Sequence, residues 1–192
     1  MMTETELSAA KAVQRRQGIA ARRALDPAAR RAADAALCAR AASLAEWRQA
    51  RRVLAYAAFG GEPDLAALLE GCGKQVAYPV CGEGFALTAA LPAAVDGWET
   101  GAYGIRTPVL ARAEVLPPET LDLVLVPCTA FDEAGRRVGM GKGYYDRFLP
   151  RCARAAVYGI AYEAQKVDAV AAGPLDVRLD GIITERGIYR WK

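Results

Sequence analysis

The run Leu121-Asp122-Leu123-Val124-Leu125-Val126, ending at Pro127, is the feature that most restricts what this chain can fold into. Four apolar residues in succession, rather than an alternation of apolar and polar ones, describe a strand buried on both faces, and such strands belong to parallel sheets covered by helices. The covering helices are legible upstream. Residues 6–24 are rich in Ala and other strong helix formers, with Gly18 as the weak point, and predict a first helix. Asp26-Pro27 then supplies an N-cap and a first-turn proline for a second helix, from Pro27 to Leu44. Further strands are predicted at Arg52–Ala57, Gln75–Val80, Ala155–Ile160 and, last, Gly181–Thr184. A Gly60-Gly61 turn separates the first of these from a short helix at Asp64–Glu70, closed by Gly71 or Gly73. The Gly- and Pro-rich stretch 81–118 holds a hairpin near Phe85–Ala90 and irregular loops, and a helix is expected through Tyr144–Cys152. Strands alternating with helices at this spacing define an α/β fold, read as a single domain over 1–192 with a largely parallel central sheet flanked by helices.

Composition narrows the chemistry. The 192 residues include no histidine, which excludes Ser-His-Asp and Cys-His catalysis, HExxH zinc sites and any imidazole base. Five cysteines, an odd number with no CxxC pair, argue against a zinc knuckle or a disulfide framework and read as small, partly buried hydrophobes in a reducing compartment. There is no signal-peptide-like apolar core at the N-terminus and no long uncharged apolar stretch, so the expected setting is the cytoplasm, with no membrane partner. The net charge of +3 is unevenly spread. Residues 1–52 carry 11 basic and five acidic side chains, a local +6, which reads either as a solvated helical face or as an anion site.

The segment after the buried strand is the stronger candidate for an anion site. In open α/β sheets ligands sit beyond the carboxyl ends of the strands, and here that position is filled by Arg136-Arg137-Val138-Gly139-Met140-Gly141-Lys142-Gly143-Tyr144-Tyr145-Asp146. Alternating glycines let backbone N–H groups turn inward and let a phosphate approach without obstruction. Arg137 and Lys142 add positive charge, a helix opening near Tyr144 is expected to add its positive end, and Asp146 is placed to hold a cation bridging phosphates. The pattern is neither a Walker A loop, since Gly143 follows Lys142, nor GxGxxG, since Tyr144 stands at the third glycine position.

The stretch GRRVGMGKGYYDRFL closely resembles the signature of the 5-formyltetrahydrofolate cyclo-ligase family, the 5,10-methenyltetrahydrofolate synthetases. Other marks fall in the family's order: Lys11-Ala12-Val13-Gln14-Arg15, Tyr56 with Glu62 and Asp64, Lys74 with Tyr78-Pro79, Tyr103-Gly104-Ile105, Ala130-Phe131-Asp132, Gln165, and Asp176 to Glu185. The resemblance implies an ATP-dependent carbon–nitrogen ligase with Mg²⁺ as cofactor. It also implies ATP contacts at Lys11, Arg15, Arg137, Gly139, Gly141, Lys142, Gly143 and Tyr145, and folate contacts at Ala57, Glu62, Tyr103, Met140, Gly141, Lys142, Gly143 and Tyr144. Metal ligation falls on Asp146 and Asp176, and catalytic roles on Lys142, Arg137 and Tyr144. Lys11 and Arg15, four apart, share one helical face. The partners implied are ATP and 5-formyltetrahydrofolate, with no nucleic acid, acting on a monomer. Two departures stand out: Thr107 precedes Pro108 where the family uses Glu or Gln, and Ala171–Leu175 lacks the usual polar residues. The alternatives are a paralogue acting on another substrate, an RNA-binding module using the basic first third, and a sugar-phosphate isomerase of similar architecture; the few aromatics, without basic interleaving, speak against RNA.

Overall fold

The computed structural model describes residues 2–191, apart from the side chain of Tyr103. The chain order is α1 (Glu4–Arg23), α2 (Pro27–Ser43), α3 (Ala45–Gln49), β1 (Arg52–Leu54), α4 (Ala66–Leu69), β2 (Gln75–Cys81), β3 (Leu87–Leu91), β4 (Trp98–Thr100), β5 (Arg106–Pro108) and β6 (Glu114–Leu116). It continues with β7 (Leu123–Pro127), β8 (Ala130–Phe131), β9 (Arg137–Val138), α5 (Tyr144–Phe148), β10 (Ala156–Ile160), β11 (Gly181–Ile183) and β12 (Ile188–Arg190). Eight strands form one sheet in the order β12-β11-β10-β7-β1-β2-β3-β6. The strands from β11 to β2 run parallel, while β12 at one edge and β3 followed by β6 at the other pair antiparallel. The sheet is therefore largely parallel, as the apolar runs require.

Strand β7 lies near the middle, and its side chains divide by parity. Leu123 and Leu125 join the core under α2, α3 and α4 with Leu37, Trp47, Leu65 and Tyr158. Val124 and Val126 point to the opposite core with Leu54, Phe131, Phe148 and Ile182. Burial on both faces is the reason the run lacks polar alternation.

Both long helices begin as their sequences dictate. Thr3 and Glu6 form a reciprocal capping box at α1, and the Asp26 carboxylate accepts the Ala28 and Ala29 N–H groups with Pro27 in the first turn of α2. Elsewhere the elements differ from the sequence reading. The helix expected over 144–152 stops at Phe148 and tightens into a 3-10 turn at Leu149–Arg151, because Pro150 has no N–H to continue the ladder. The helix expected over 64–70 is only Ala66–Leu69, and β1 ends at Leu54 rather than at 57. The predicted hairpin is larger than expected: β2 pairs with β3 across a 3-10 turn at Glu83–Phe85. The segment Gly181–Thr184 is not the last strand, since β12 folds back on it. Cys81 is exposed, whereas Cys38, Cys128 and Cys152 are buried as expected. No described helix is long and apolar enough to cross a membrane.

Helix α1 belongs to neither core. Its only buried residues are Gly18 and Arg22, and it lies against the segments leaving the carboxyl ends of the sheet. Gly18 is what permits this. A Cβ there would stand 1.7 Å from the carbonyl oxygen of Thr129, just beyond β7, so the residue that looks like a flaw in the helix is its point of closest approach.

Candidate active site

Along α1, residues 11, 14, 15, 18 and 22 fall on one face at helical spacing, and each reaches a different loop. The Lys11 ammonium donates to both carboxylate oxygens of Asp176 at 2.6 Å. The Gln14 amide donates to the Ala169 carbonyl and accepts from the Ala171 N–H, so the apolar 171–175 segment is docked through its backbone. Arg15 Nε donates to the Gly139 carbonyl at 2.8 Å. Arg22 Nε donates to the Gly60 carbonyl at 3.1 Å. One helix thus holds the glycine loop, the late acidic loop and the 60–62 loop in a fixed relation.

The glycine loop starts from the β8–β9 hairpin, where Asp132 orders the turn: its Oδ1 accepts the Ala134 and Arg136 N–H groups, and its Oδ2 accepts from Arg136 Nε and the Val170 N–H. Arg137 lies in β9 and is buried. Its NH1 donates to the Val177 carbonyl and its NH2 to Asp146 Oδ1 at 2.9 Å. Gly141 and Gly143 adopt left-handed φ values of +93° and +69°, where a side chain would be strained. Gly139 has ordinary backbone geometry and nothing within 4 Å of where its Cβ would stand. Lys142 is exposed and Met140 is 51 % exposed, so both project from the loop. The positive helix end expected here is weak, because α5 is a single turn; what the loop offers to an anion is its own amides and cations.

Opposite this loop lies a more enclosed group. Glu62 is buried; its Oε2 accepts the Phe59 N–H at 3.2 Å, and its Oε1 lies 3.5 Å from Arg22 NH1. Burial pushes the Glu62 carboxyl above the ordinary range and Arg22 opposes that shift. Tyr56 donates to the Pro63 carbonyl at 2.8 Å, closing the 60–63 turn onto the end of β1, and Ala57 follows it, half-buried. The Tyr145 hydroxyl is buried without a hydrogen-bond partner and its acidity is suppressed, by burial first and then by the charge of Glu62. Burial likewise pushes the Cys128 thiol up to about 12, which rules it out as a thiolate nucleophile. Tyr144 stacks edge-on with Phe85, ring centroids 5.9 Å apart. Tyr103 sits on the 3-10 turn Ala102–Gly104 between β4 and β5, and its side chain lies outside the described residues.

The structure therefore brings Arg15 to the glycine loop and Arg137 to Asp146, with Glu62 held beside Arg22 and Tyr145 in electrostatic reach of both Glu62 and Arg137. Among the described residues no three His, Cys, Asp or Glu side chains gather into a metal cage. Mg²⁺ does not require one, since one or two carboxylates with water and phosphate oxygens suffice. Asp146 fits that use: Oδ1 is held by Arg137 and the Val177 N–H, and the side chain remains 27 % exposed. Asp176 fits less directly, because Lys11 and the Gly173 N–H already occupy its oxygens. Sequence reasoning missed Arg22, Gln14 and Phe85. The first two carried a signal, namely their spacing from Lys11 and Arg15. Phe85 carried none, because it reaches Tyr144 across the sheet edge.

A glycine loop with Arg15 and Arg137 beyond the carboxyl ends of a largely parallel sheet is where α/β enzymes place their sites. The family comparison then gives the group: residues 7–185 match the model of the 5-formyltetrahydrofolate cyclo-ligase family, and the chain belongs to that family of enzymes. It is 32 % identical over 152 residues to the 5-formyltetrahydrofolate cyclo-ligase of Haemophilus influenzae, covering 74 % of this chain and 80 % of that one. It is 34 % identical over 151 residues to the enzyme of that name from Mycolicibacterium smegmatis, covering 72 % and 76 %. Among solved structures, the 5,10-methenyltetrahydrofolate synthetase of Aquifex aeolicus superposes with a TM-score of 0.82 at 31 % identity, over 94 % of this chain and 92 % of the other. That of Mycoplasma pneumoniae superposes with a TM-score of 0.74 at 25 % identity, over 91 % and 98 %.

Proposed function

We propose that this chain is an ATP- and Mg²⁺-dependent 5-formyltetrahydrofolate cyclo-ligase, converting 5-formyltetrahydrofolate and ATP to 5,10-methenyltetrahydrofolate, ADP and phosphate. The observation that carries this reading is the placement, on one helix, of an anion-type loop held through Arg15 and a buried acid held next to Arg22. Phosphoryl donor and flat-ring acceptor need such adjacent, differently built sites.

A formamide carbon is a poor electrophile and its oxygen a poor leaving group. In the proposed sequence the formyl oxygen attacks the γ-phosphorus and ADP departs, leaving a phosphorylated imidate. The neighbouring secondary amine of the same folate attacks the imidate carbon and gives up its proton. The C–O bond breaks, phosphate leaves with the former formyl oxygen, and the ring closes. The nucleophile belongs to the substrate, so a chain without histidine is adequate.

The protein's part is alignment and charge stabilisation. Lys11 and Arg15 face the phosphate tail from α1, while Arg137, Lys142 and the amides of Gly139, Gly141 and Gly143 surround the transferring group. The space beside Gly139 is open enough for close backbone approach by a phosphate. Asp146, with Asp176 once Lys11 turns from it to a phosphate, would hold Mg²⁺, which when bound offsets the charge of the β- and γ-phosphates. On the other side Glu62 accepts hydrogen bonds from the pterin, and Ala57, Tyr103, Met140 and Tyr144 line the folate. Tyr145, buried and in electrostatic reach of both Glu62 and Arg137, lies where the two halves of the proposed site meet, and its unpartnered hydroxyl is a donor available to either substrate.

The test is the appearance of methenyl absorbance with ATP, Mg²⁺ and 5-formyltetrahydrofolate, in parallel with a sample lacking ATP. Product formed only with ATP supports the ligase. Unchanged folate in both samples, or conversion that ignores ATP, removes it.

A further inference from the structure

Arg22 stands out on α1 because it is an arginine at 1 % exposure on a helix whose other arginines are solvated or half-buried. Charged side chains are almost never fully buried unless they are well paired. Here the pairing is incomplete. Nε is satisfied by the Gly60 carbonyl, but NH1 makes no hydrogen bond and faces Glu62 Oε1 only at 3.5 Å. An ion pair this buried and this loosely bonded contributes little to stability against an apolar contact of the same shape. What Arg22 does accomplish is local: through Gly60 and Glu62 it grips both ends of the turn bearing the buried acid.

We propose that Arg22 is a positioning residue for folate binding, fixing Glu62 in one orientation and leaving the nucleotide side of the site untouched. The proposal rests on the reading of Glu62 as a folate contact. The groups around Glu62 are Arg22 from α1, Tyr56 from the end of β1, Cys128 beyond β7 and Tyr145 from α5. Burial holds the last three in their neutral forms, so Arg22 supplies the positive charge. It also lies four residues beyond Gly18, on the folate side of the contact with Thr129, whereas Lys11 and Arg15 lie on the nucleotide side. The same helix face thereby serves the two substrates with different residues.

The experiment compares Arg22→Met, Glu62→Gln and the double variant. It uses steady-state KM values for both substrates and equilibrium dialysis of 5-formyltetrahydrofolate without ATP. Arg22→Met is expected to raise the KM and Kd for the folate about tenfold while the KM for ATP moves less than about twofold. In the Glu62→Gln background the same change is expected to add nothing, because Arg22 acts through Glu62. Equal increases for both substrates, or a full additional loss in the double variant, would overturn the proposal. If Arg22→Met does not accumulate as folded protein, Arg22→Lys takes its place. Lysine lacks the fork that spans Gly60 and Glu62, so a smaller rise in the folate KM is expected, and an unchanged one overturns the inference. A wild-type chain that neither binds nor converts the folate is a failure of the functional reading instead, and the two failures are read from different samples.

Discussion

The loop at 60–62 and the loop at 139–143 hang from the same helix, but they are constructed differently. The first buries its acid, with Tyr56, Arg22 Nε and the Phe59 N–H each committed to a protein partner. The second leaves Lys142 and Met140 exposed and turns through two left-handed glycines packed beside the guanidinium groups of Arg15 and Arg147. A site for a neutral, flat ring gains from a pre-shaped acceptor, because the ring brings little energy to order a loop. A site for a triphosphate gains from exposed charge, because the ligand brings its own strong field. The contrast predicts that damage to the open loop lowers the rate of the chemical step, whereas damage to the buried one weakens folate binding.

Asp146→Asn is the most severe way to test that division. It removes the charge facing Arg137 and the proposed metal, so turnover is expected to fall about a hundredfold or more, measured as methenyl formation across a Mg²⁺ titration. Near-normal turnover at low Mg²⁺ would dissolve the contrast. Next in size, Lys142→Ala should slow single-turnover ADP formation by about ten- to a hundredfold. Its exposure predicts a melting temperature within a degree or so of wild type. A variant with normal ADP formation would remove Lys142 from the phosphoryl step.

Gly18→Ala addresses both loops at once. The added methyl meets the Thr129 carbonyl, so α1 must shift, and a loss of about 1–3 kcal/mol is expected in urea melts. The KM values for ATP and folate should rise together, in contrast to the selective effects of changes at either loop. The smallest effect is in the pH dependence of stability. Because burial raises the Glu62 pKa, the folded protein retains that proton at pH values where the unfolded chain has lost it. Relative to Glu62→Gln, wild-type stability should therefore fall as pH rises through the interval from the ordinary glutamate value to the raised one. Urea melts at closely spaced pH values check this, and a wild-type gain over that interval contradicts the burial of a proton-retaining acid.

How far these features were legible depended on whether the cause was local. Strand β7 was readable because both faces are buried, and the start of α2 because Asp26-Pro27 is a self-contained cap. The shortness of α5 was also written locally, in Pro150. Strands β4, β5, β8 and β9 are two or three residues long and carry no periodicity. Of the site, the glycine loop was legible because its chemistry is contiguous. The pairing of Lys11 with Asp176 spans 165 positions, and Arg22 looked like one more solvated arginine because its partner lies 40 positions away. Gly18 was visible as an exception to helix propensity, but its purpose depended on a carbonyl 111 positions downstream.

The docking of α1 also bears on the order of assembly. Gly60, Thr129, Gly139, Ala169 and Asp176, which receive this helix, are all synthesised after it. A nascent chain therefore carries a capped, arginine-rich helix with nowhere to settle until nearly the whole sheet exists, and contacts of such long sequence separation are slow to close. The contacts that align the candidate site are therefore among those expected to close late in folding.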